Sequence, residues 1–120
     1  MGSQTEIIFM AAQILLIDNN LNILRALSQN LLEHQYDVSI TSNDHDGLEF
    51  CANDSPDLII LNLDFSTQKM NSLSLCYEIR KNSCCPILIL STAGAKEEKI
   101  KALDIGADDY LDWPFDHREF

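Results

Sequence analysis

Short apolar runs alternate with stretches of helical periodicity along most of the chain. The run Ile14-Leu15-Leu16-Ile17 is continuous and ends at Asp18, which is typical of a strand buried on both faces. Leucines then recur at helical spacing from residue 21 to residue 31. Asn19 or Asn20 is placed to cap the start of this helix. The first part of the chain therefore predicts a strand followed directly by a helix.

The same alternation continues to residue 112. Val38 and Ile40 alternate with polar neighbours, which predicts a second strand nearer an edge of the sheet. The later predicted segments are a helix over 44–53, a strand over 57–62, a helix carrying Leu73, Cys76 and Ile79, a strand over 87–91, a helix over 96–105 closed by Gly106, and a strand over 109–112. Strands that alternate with helices predict an α/β fold, a doubly wound five-stranded parallel sheet with helices on both faces.

The composition fits a single domain that works in water. The chain has 120 residues and 46% hydrophobic composition, enough for one core of ordinary size. Eight Lys and Arg against 19 Asp and Glu give a formal net charge of −11, which repels nucleic-acid phosphates and anionic lipids. The longest apolar run is too short to span a membrane, and residues 1–12 lack the pattern of a secretion signal. We expect a cytoplasmic protein that makes no membrane contact and reaches DNA only through a separate output domain not in this chain.

Several other patterns have a simpler structural interpretation than a chemical one. The four cysteines, Cys51, Cys76, Cys84 and Cys85, lack metal-ligand spacing and lie in apolar segments, which predicts reduced core thiols. Cys84 and Cys85 could form a redox pair, but thiols just before a buried strand are usually structural. Residues 44–47 resemble a fragment of a calcium loop without its remaining ligands, so a capped helix start is favoured. The scattered histidines support no catalytic triad.

The candidate site lies where the predicted strands end. In open parallel sheets the functional crevice lies outside the carboxyl ends of the strands. Asp18, Asn62, Ser91 and Trp113 stand at these ends. Together they form a candidate pocket.

The segments around these residues resemble the receiver domain of two-component response regulators. The matching stretches are 14–18, 56–63, 86–91 and 106–115, in the order of the family. The resemblance covers roughly residues 13–120 and leaves 1–12 as an N-terminal extension. It implies a flavodoxin-like strand order 2-1-3-4-5 and a phosphoacceptor aspartate at the end of the third strand. The chain stops at Phe120, so the final helix of the family is predicted to be truncated.

This sequence departs from the family at the residues that handle phosphate. Asn62 stands at the acceptor position, and a neutral amide cannot form the acyl phosphate. The family supplies an acidic pair on the first strand for Mg²⁺, but Asn19 replaces one member and only Asp18 remains. Trp113 stands where the family has a lysine, and its indole would cover part of the crevice. The resemblance therefore implies a degenerate receiver with no catalytic residues, no cofactor, and weak or absent Mg²⁺ binding.

Other parts of the family's switch are present. Ser91 matches the hydroxyl that contacts the phosphate, and Tyr110 matches the aromatic whose rotation reports activation. Both residues could equally serve only packing and hydrogen bonding. The resemblance implies contacts with a protein partner, or with a second copy in a homodimer, through the fourth helix, fifth strand and fifth helix. The resemblance places Ile100, Leu103 and Tyr110 on this face.

Three functions remain open from the sequence. The first is a signalling module that regulates transcription without aspartyl phosphorylation, through dimerisation or partner binding. The second is a small-molecule or ion sensor that uses the pocket at the strand ends. The third is a phosphoacceptor at Asp18 or at Asp64, which follows Asn62 in a loop that lacks the family's Pro-Gly turn. Asp64 and Asp18 are also the weak candidates for a metal ligand, although Asp64 is more simply solvated.

Overall fold

The computed structural model describes residues 12–92 and 96–113 of the chain. Its elements are β1 (Gln13–Ile17), α1 (Leu21–Glu33), β2 (Asp37–Thr41), α2 (Asp44–Asp54), β3 (Leu58–Asn62), α3 (Ser72–Asn82), β4 (Ile87–Thr92), α4 (Lys96–Ile105) and β5 (Asp109–Trp113). All strand pairs are parallel, in the order β2-β1-β3-β4-β5. The predicted doubly wound sheet of order 2-1-3-4-5 is confirmed. The predicted final helix and residues 1–11 of the predicted extension lie outside the described residues.

Two cores form because side chains of the central strands point alternately to opposite faces. Leu15 and Ile17 face a core that α2, α3 and α4 cover, whereas Ile14 and Leu16 face α1. Helices therefore cover both faces of the sheet, as predicted. Among the described strands, β2 pairs with β1 alone, and it has no fully buried residue, so the predicted edge strand is confirmed. None of the described helices is both long and apolar enough to cross a bilayer.

The boundaries differ from the predicted ones by single residues. Asp57, predicted as the first residue of the third strand, lies just before β3. Its N–H donates to the Gln13 carbonyl at 2.8 Å, and its carboxylate accepts from the Gln13 N–H at 2.7 Å. Asp57 is thus held against β1 without belonging to β3. Strands β4 and β5 each extend one residue further than predicted, to Thr92 and Trp113.

Helix α4 ends at Ile105 and is followed by Gly106, as predicted. Gly106 has a φ of +138°, which side-chain-bearing residues rarely adopt. A Cβ at this position would also lie 2.9 Å from Cγ of Arg80. Arg80 donates from Nε and Nη2 to the Gly106 carbonyl at 2.9 and 2.6 Å. The turn between α4 and β5 is therefore fixed against α3.

Candidate functional site

The candidate site is built from the carboxyl ends of four strands. Asp18 directly follows β1, Asn62 is the last residue of β3, Ser91 is next to last in β4, and Trp113 ends β5. Because the strands are parallel, these ends lie at one edge of the sheet. Ser91 lies opposite Asp112 in the β4–β5 ladder. The fold thus gathers the residues that the sequence singled out.

A buried hydrogen bond joins Asp18 to Asn62. Nδ2 of Asn62 donates to Oδ2 of Asp18 at 2.7 Å, and each residue is only 4% exposed. Oδ1 of Asp18 accepts from the N–H of Asn20 at 3.0 Å, and Oδ1 of Asn62 accepts from the N–H of Asp64 at 2.8 Å. Both carboxylate oxygens and both ends of the amide therefore have a partner, as a buried polar pair requires.

Little space remains beneath this pair. A cavity of about 10 Å³ lies between Asp18, Asn62 and apolar side chains of β1, α1, β3 and β4. That volume is close to the minimum needed for one water molecule. This cavity beneath the pair is therefore too small for an organic ligand.

Asn19 and Asn20, which follow Asp18, make different hydrogen bonds. Nδ2 of Asn19 donates to the Ser66 carbonyl at 2.9 Å and so ties the end of β1 to the loop after β3. Oδ1 of Asn20 accepts from the N–H groups of Asn22 and Ile23. Asn20, one of the two residues predicted to cap α1, is therefore the cap.

The loop between β3 and α3 has its own anchor in the core. Phe65 is fully buried. The hydroxyl of Ser72 donates to the Leu63 carbonyl at 2.6 Å, and Ser66 forms an isolated antiparallel bridge with Asn71. These contacts order the loop without a Pro-Gly turn. Sequence reasoning missed Phe65, although a large apolar side chain between polar neighbours was an available signal.

The metal candidates at this edge do not form a binding group. Asp64 is exposed. Asp18 already accepts an N–H donor at each carboxylate oxygen. Within residues 12–92 and 96–113, no group of three or more His, Cys, Asp or Glu side chains is arranged to hold a metal ion. Residues 44–47 begin a helix that Asn43 caps, as the favoured interpretation predicted.

Ser91 is bonded to β5 and not to the Asp18–Asn62 pair. Its hydroxyl donates to Oδ1 of Asp112 at 2.9 Å. Lys99, on α4, donates from Nζ to the same oxygen at 2.9 Å and is only 8% exposed. The Lys99 ammonium also lies 4.6 Å from the centroid of the Tyr110 ring, within cation–π distance. We refer to Ser91, Lys99, Tyr110 and Asp112 as the β5 cluster.

The β5 cluster favours a charged carboxylate. Hydrogen bonds from Lys99, and then from Ser91, lower the pKa of Asp112 below its ordinary value. Folding therefore favours the charged form of Asp112. The stabilisation that these hydrogen bonds contribute is fully present above the ordinary pKa of an aspartate. It is lost as the pH falls through the lowered pKa. The Asp112 side chain is half exposed, so solvent screens this contribution.

Lys99 and Asp112 are site residues that sequence reasoning missed. A signal existed for Lys99, which lies three residues before the buried Ala102 and shares its face of α4. Asp112 carries no comparable signal. Its role depends on the β4–β5 register, which places it opposite Ser91.

The predicted interface residues are exposed apolar side chains on α4 and β5. Ile100 is 49% exposed, Leu103 36% and Tyr110 41%. Tyr110 belongs both to this apolar face and to the β5 cluster.

The backbone of Trp113 pairs with Thr92 at the end of β5. The Trp113 side chain lies outside the described part of the structure, so its cover over the crevice stays a prediction.

Burial weakens three of the four thiols as nucleophiles. Burial, followed by the nearby Cys85, raises the pKa of Cys51 to about 11. Burial also raises the pKa of Cys76 and of Cys85, and the Cys85 thiol donates to the Pro56 carbonyl at 3.0 Å. The thiolate is the reactive form, so these groups react slowly at neutral pH. Cys84 is exposed because it lies in the segment between α3 and β4, so the prediction of a core thiol is wrong for this residue.

Alkylation of the native protein with iodoacetamide is expected to modify Cys84 first. Cys51 and Cys76 should react only after unfolding in urea, because burial both shields them and disfavours their thiolates. Peptide mapping by mass spectrometry gives the order of modification. A Cys84→Ser variant should lose the fast adduct. Rapid modification of Cys51 in that variant would contradict the expectation.

Comparison with known sequences points to one class of domain. A sequence model of the response regulator receiver domain matches residues 14–120. The response regulator ArlR of Staphylococcus saprophyticus is 36% identical over 107 residues, which are 89% of this chain and 48% of that relative. The chain therefore spans about half the length of this curated relative.

Solved structures agree with the sequence comparison. A two-component response regulator from Clostridium difficile has a TM-score of 0.82 and 26% identity, over 90% of this chain and 88% of that one. The receiver domain of the Francisella response regulator 1452 has a TM-score of 0.79 and 27% identity, again over 90% and 88%. The division into residues 1–12 and 13–120 stays a prediction.

Proposed function

Because the chain belongs to the response regulator receiver domain family, we propose that it transmits signals without an aspartyl phosphate, through a protein partner or a second copy of itself. The observation that carries this proposal is the buried hydrogen bond of 2.7 Å between Asn62 and Asp18. The family has its phosphoacceptor aspartate at the end of the third strand, and Asn62 ends β3. The acceptor position thus holds a structural link between two strands.

The amide of Asn62 is unsuited to accept a phosphoryl group. Its nitrogen lone pair is delocalised into the carbonyl, so neither end has the nucleophilic oxygen of a carboxylate. The nitrogen donates to Asp18 and the oxygen accepts from the N–H of Asp64. A reaction at Asn62 would also have to break these buried hydrogen bonds, which costs more than breaking exposed ones.

The Mg²⁺ that the family implies does not fit these residues. Mg²⁺ requires near-octahedral oxygen ligands and is usually held by carboxylates. Asp18 offers two oxygens that already accept N–H donors, and the Asn19 amide donates to Ser66. We therefore assign the chain no cofactor and no enzymatic activity. The cavity of about 10 Å³ beneath the pair is too small to hold the ligand of a small-molecule sensor.

Intact mass after incubation with Mg²⁺ and a small acyl-phosphate donor tests the proposal. We expect no added phosphoryl mass, and no change in the fluorescence of Trp113, the only tryptophan. A receiver with an acceptor aspartate, treated in parallel, shows that the donor is active. A stoichiometric adduct would overturn the proposal. Asp64→Asn and Asp18→Asn would then locate it, with the exposed Asp64 the first candidate.

The proposed partner surface is the apolar face formed by Ile100, Leu103 and Tyr110 on α4 and β5. Exposed apolar side chains grouped on neighbouring elements are typical of protein contacts. The family's usual output is transcription, which would require a separate DNA-binding domain because this chain carries a net charge of −11. We place its action in the cytoplasm, where such regulators meet their partners.

An acidic substitution on this face should weaken association. If the chain self-associates, Leu103→Glu is expected to raise the dissociation constant at least about tenfold, because it buries a charge among apolar groups. Sedimentation equilibrium over a range of concentrations measures the constant. Leu21→Glu, at an exposed leucine on α1, is the matched control and should leave the constant unchanged. A wild-type chain that stays monomeric throughout would contradict the homodimer and leave a different protein as the partner.

A further inference from the structure

We infer that Asp112 acts as an internal anion that engages Ser91 in place of a phosphoryl group and holds the apolar face of α4 and β5 in one arrangement. The inference rests on the proposed function, because only a receiver without phosphorylation leaves Ser91 free for a permanent partner. It is carried by the contacts of the β5 cluster, which join two strands and a helix.

One carboxylate oxygen receives both donors of the cluster. The Ser91 hydroxyl, from β4, and the Lys99 ammonium, from α4, each lie 2.9 Å from Oδ1 of Asp112. Ser91 and Asp112 are opposite each other in a parallel ladder, so their side chains project to the same face of the sheet. A hydroxyl has a single proton to donate. While Ser91 donates to Asp112 it cannot donate to another anion.

The burial of Lys99 requires the Asp112 carboxylate as a counter-charge. A lysine that is only 8% exposed requires a counter-charge, because an unpaired buried ammonium is strongly destabilising. Among the described residues, the ion pair that Lys99 forms is with Asp112. Asp112 is therefore more than an exposed acidic residue at the end of a strand. Its removal would leave the cation without its ion-pair partner and would remove one link between α4 and β5.

The same cation reaches the exposed face. The Lys99 ammonium lies 4.6 Å from the Tyr110 ring, and Tyr110 is one of the three apolar residues of that face. The positions of the Ser91 hydroxyl and of the Tyr110 ring therefore both depend on the Asp112 carboxylate, one directly and one through Lys99. In the family the hydroxyl at the first position contacts the phosphate, and the aromatic ring at the second reports activation. Here an internal carboxylate connects them.

Chemical labelling of Lys99 tests the first part of this inference. An amine-reactive reagent should label Lys99 at least several-fold more slowly than the exposed Lys96 and Lys101 of the same helix, as measured by peptide mapping. Asp112→Asn should raise the Lys99 rate several-fold and leave the other two rates unchanged. Asp104→Asn makes the same charge change at an exposed position on α4 and should change none of the three rates. An unchanged Lys99 rate in folded Asp112→Asn would overturn the inference.

Aromatic NMR of Tyr110 tests the coupling, which a merely structural role of Asp112 would not require. Ser91→Ala and Asp112→Asn should each shift the ring resonances of Tyr110. The double variant should resemble Asp112→Asn, because Ser91 acts through Asp112. Additive shifts would overturn the coupling. If Asp112→Asn does not fold, Ser91→Ala keeps the ion pair, and an unshifted Tyr110 resonance in that variant would overturn the inference equally.

The failure of the inference can be told apart from the failure of the proposed function. A phosphoryl adduct that itself shifts the Tyr110 resonances would contradict both, because phosphate would then control the face. No adduct, together with an Asp112→Asn variant that changes neither Lys99 labelling nor Tyr110, would contradict the inference alone. No adduct with both changes supports the two together.

Discussion

Replacing Asn62 by Asp is expected to lower the free energy of unfolding by about 3 to 5 kcal/mol at neutral pH. The new carboxylate would face Asp18 across the 2.7 Å that a hydrogen bond now spans, with both residues almost fully buried. None of the ion pairs in the described ranges includes Asp18, so no cation among these residues offsets the second charge. The substitution that restores the family's acceptor should therefore destabilise this protein.

The loss should depend on pH with a definite sign. Two adjacent buried carboxyls favour binding a proton, so the destabilisation is greatest at neutral pH and shrinks toward about pH 5 as one of them is protonated. Urea denaturation at both pH values measures the difference. Asn53→Asp makes the same change at an exposed position of α2 and should alter stability by no more than about 0.5 kcal/mol. An Asn62→Asp variant as stable as wild type at neutral pH would show that the site still accommodates a second charge.

Truncating Phe65 to Ala is expected to cost about 3 to 5 kcal/mol of stability. Its side chain is fully buried and packs in the core that α2, α3 and α4 cover, so removing the ring leaves a cavity. The loop between β3 and α3 would lose its anchor beside Asn62. Amide hydrogen exchange should then speed up at Thr67, whose N–H donates to the Met70 carbonyl at 2.7 Å.

Two variants separate the loss of packing from the loss of any aromatic residue. Phe65→Leu keeps most of the apolar contact and should cost clearly less than Phe65→Ala. Tyr77→Ala removes an exposed ring from α3 and should change stability by no more than about 1 kcal/mol. A Phe65→Ala variant that loses less than about 1 kcal/mol would mean that Phe65 is not an anchor of the core.

The order of elements could be predicted because each leaves a local pattern. Strands β1, β3 and β4 each contain a run of four apolar residues, because the middle of a strand covered by helices on both faces is buried on both sides. Helix α1 shows its apolar spacing and a cap, and Gly106 marks the end of α4. Where strand pairing sets a boundary, the observed boundary differs from the predicted one by one residue. Asp57 is an example, because its bonds to Gln13 belong to no local pattern.

From the sequence, only those parts of the site that lie at the strand ends could be predicted. Asp18 and Asn62 follow apolar runs, and the ends of adjacent parallel strands must meet, so their contact is a consequence of topology. The direction in which the Ser91 hydroxyl points could not be inferred from the strand ends. Its hydroxyl had two possible neighbours, the Asp18–Asn62 pair and β5, and the β4–β5 register selected Asp112.

The sequence by itself determined the α/β class, the helix and strand order, the neutral amide at the end of β3 and the acidic surface. These follow from residue type and periodicity, which act over a few neighbouring residues. Only the tertiary structure decided that Phe65 anchors a loop, that Lys99 is buried and that Asp112 joins Ser91 to it. Each of these depends on which distant element packs against the residue, and hydrogen-bond partners far apart in sequence are chosen by that packing.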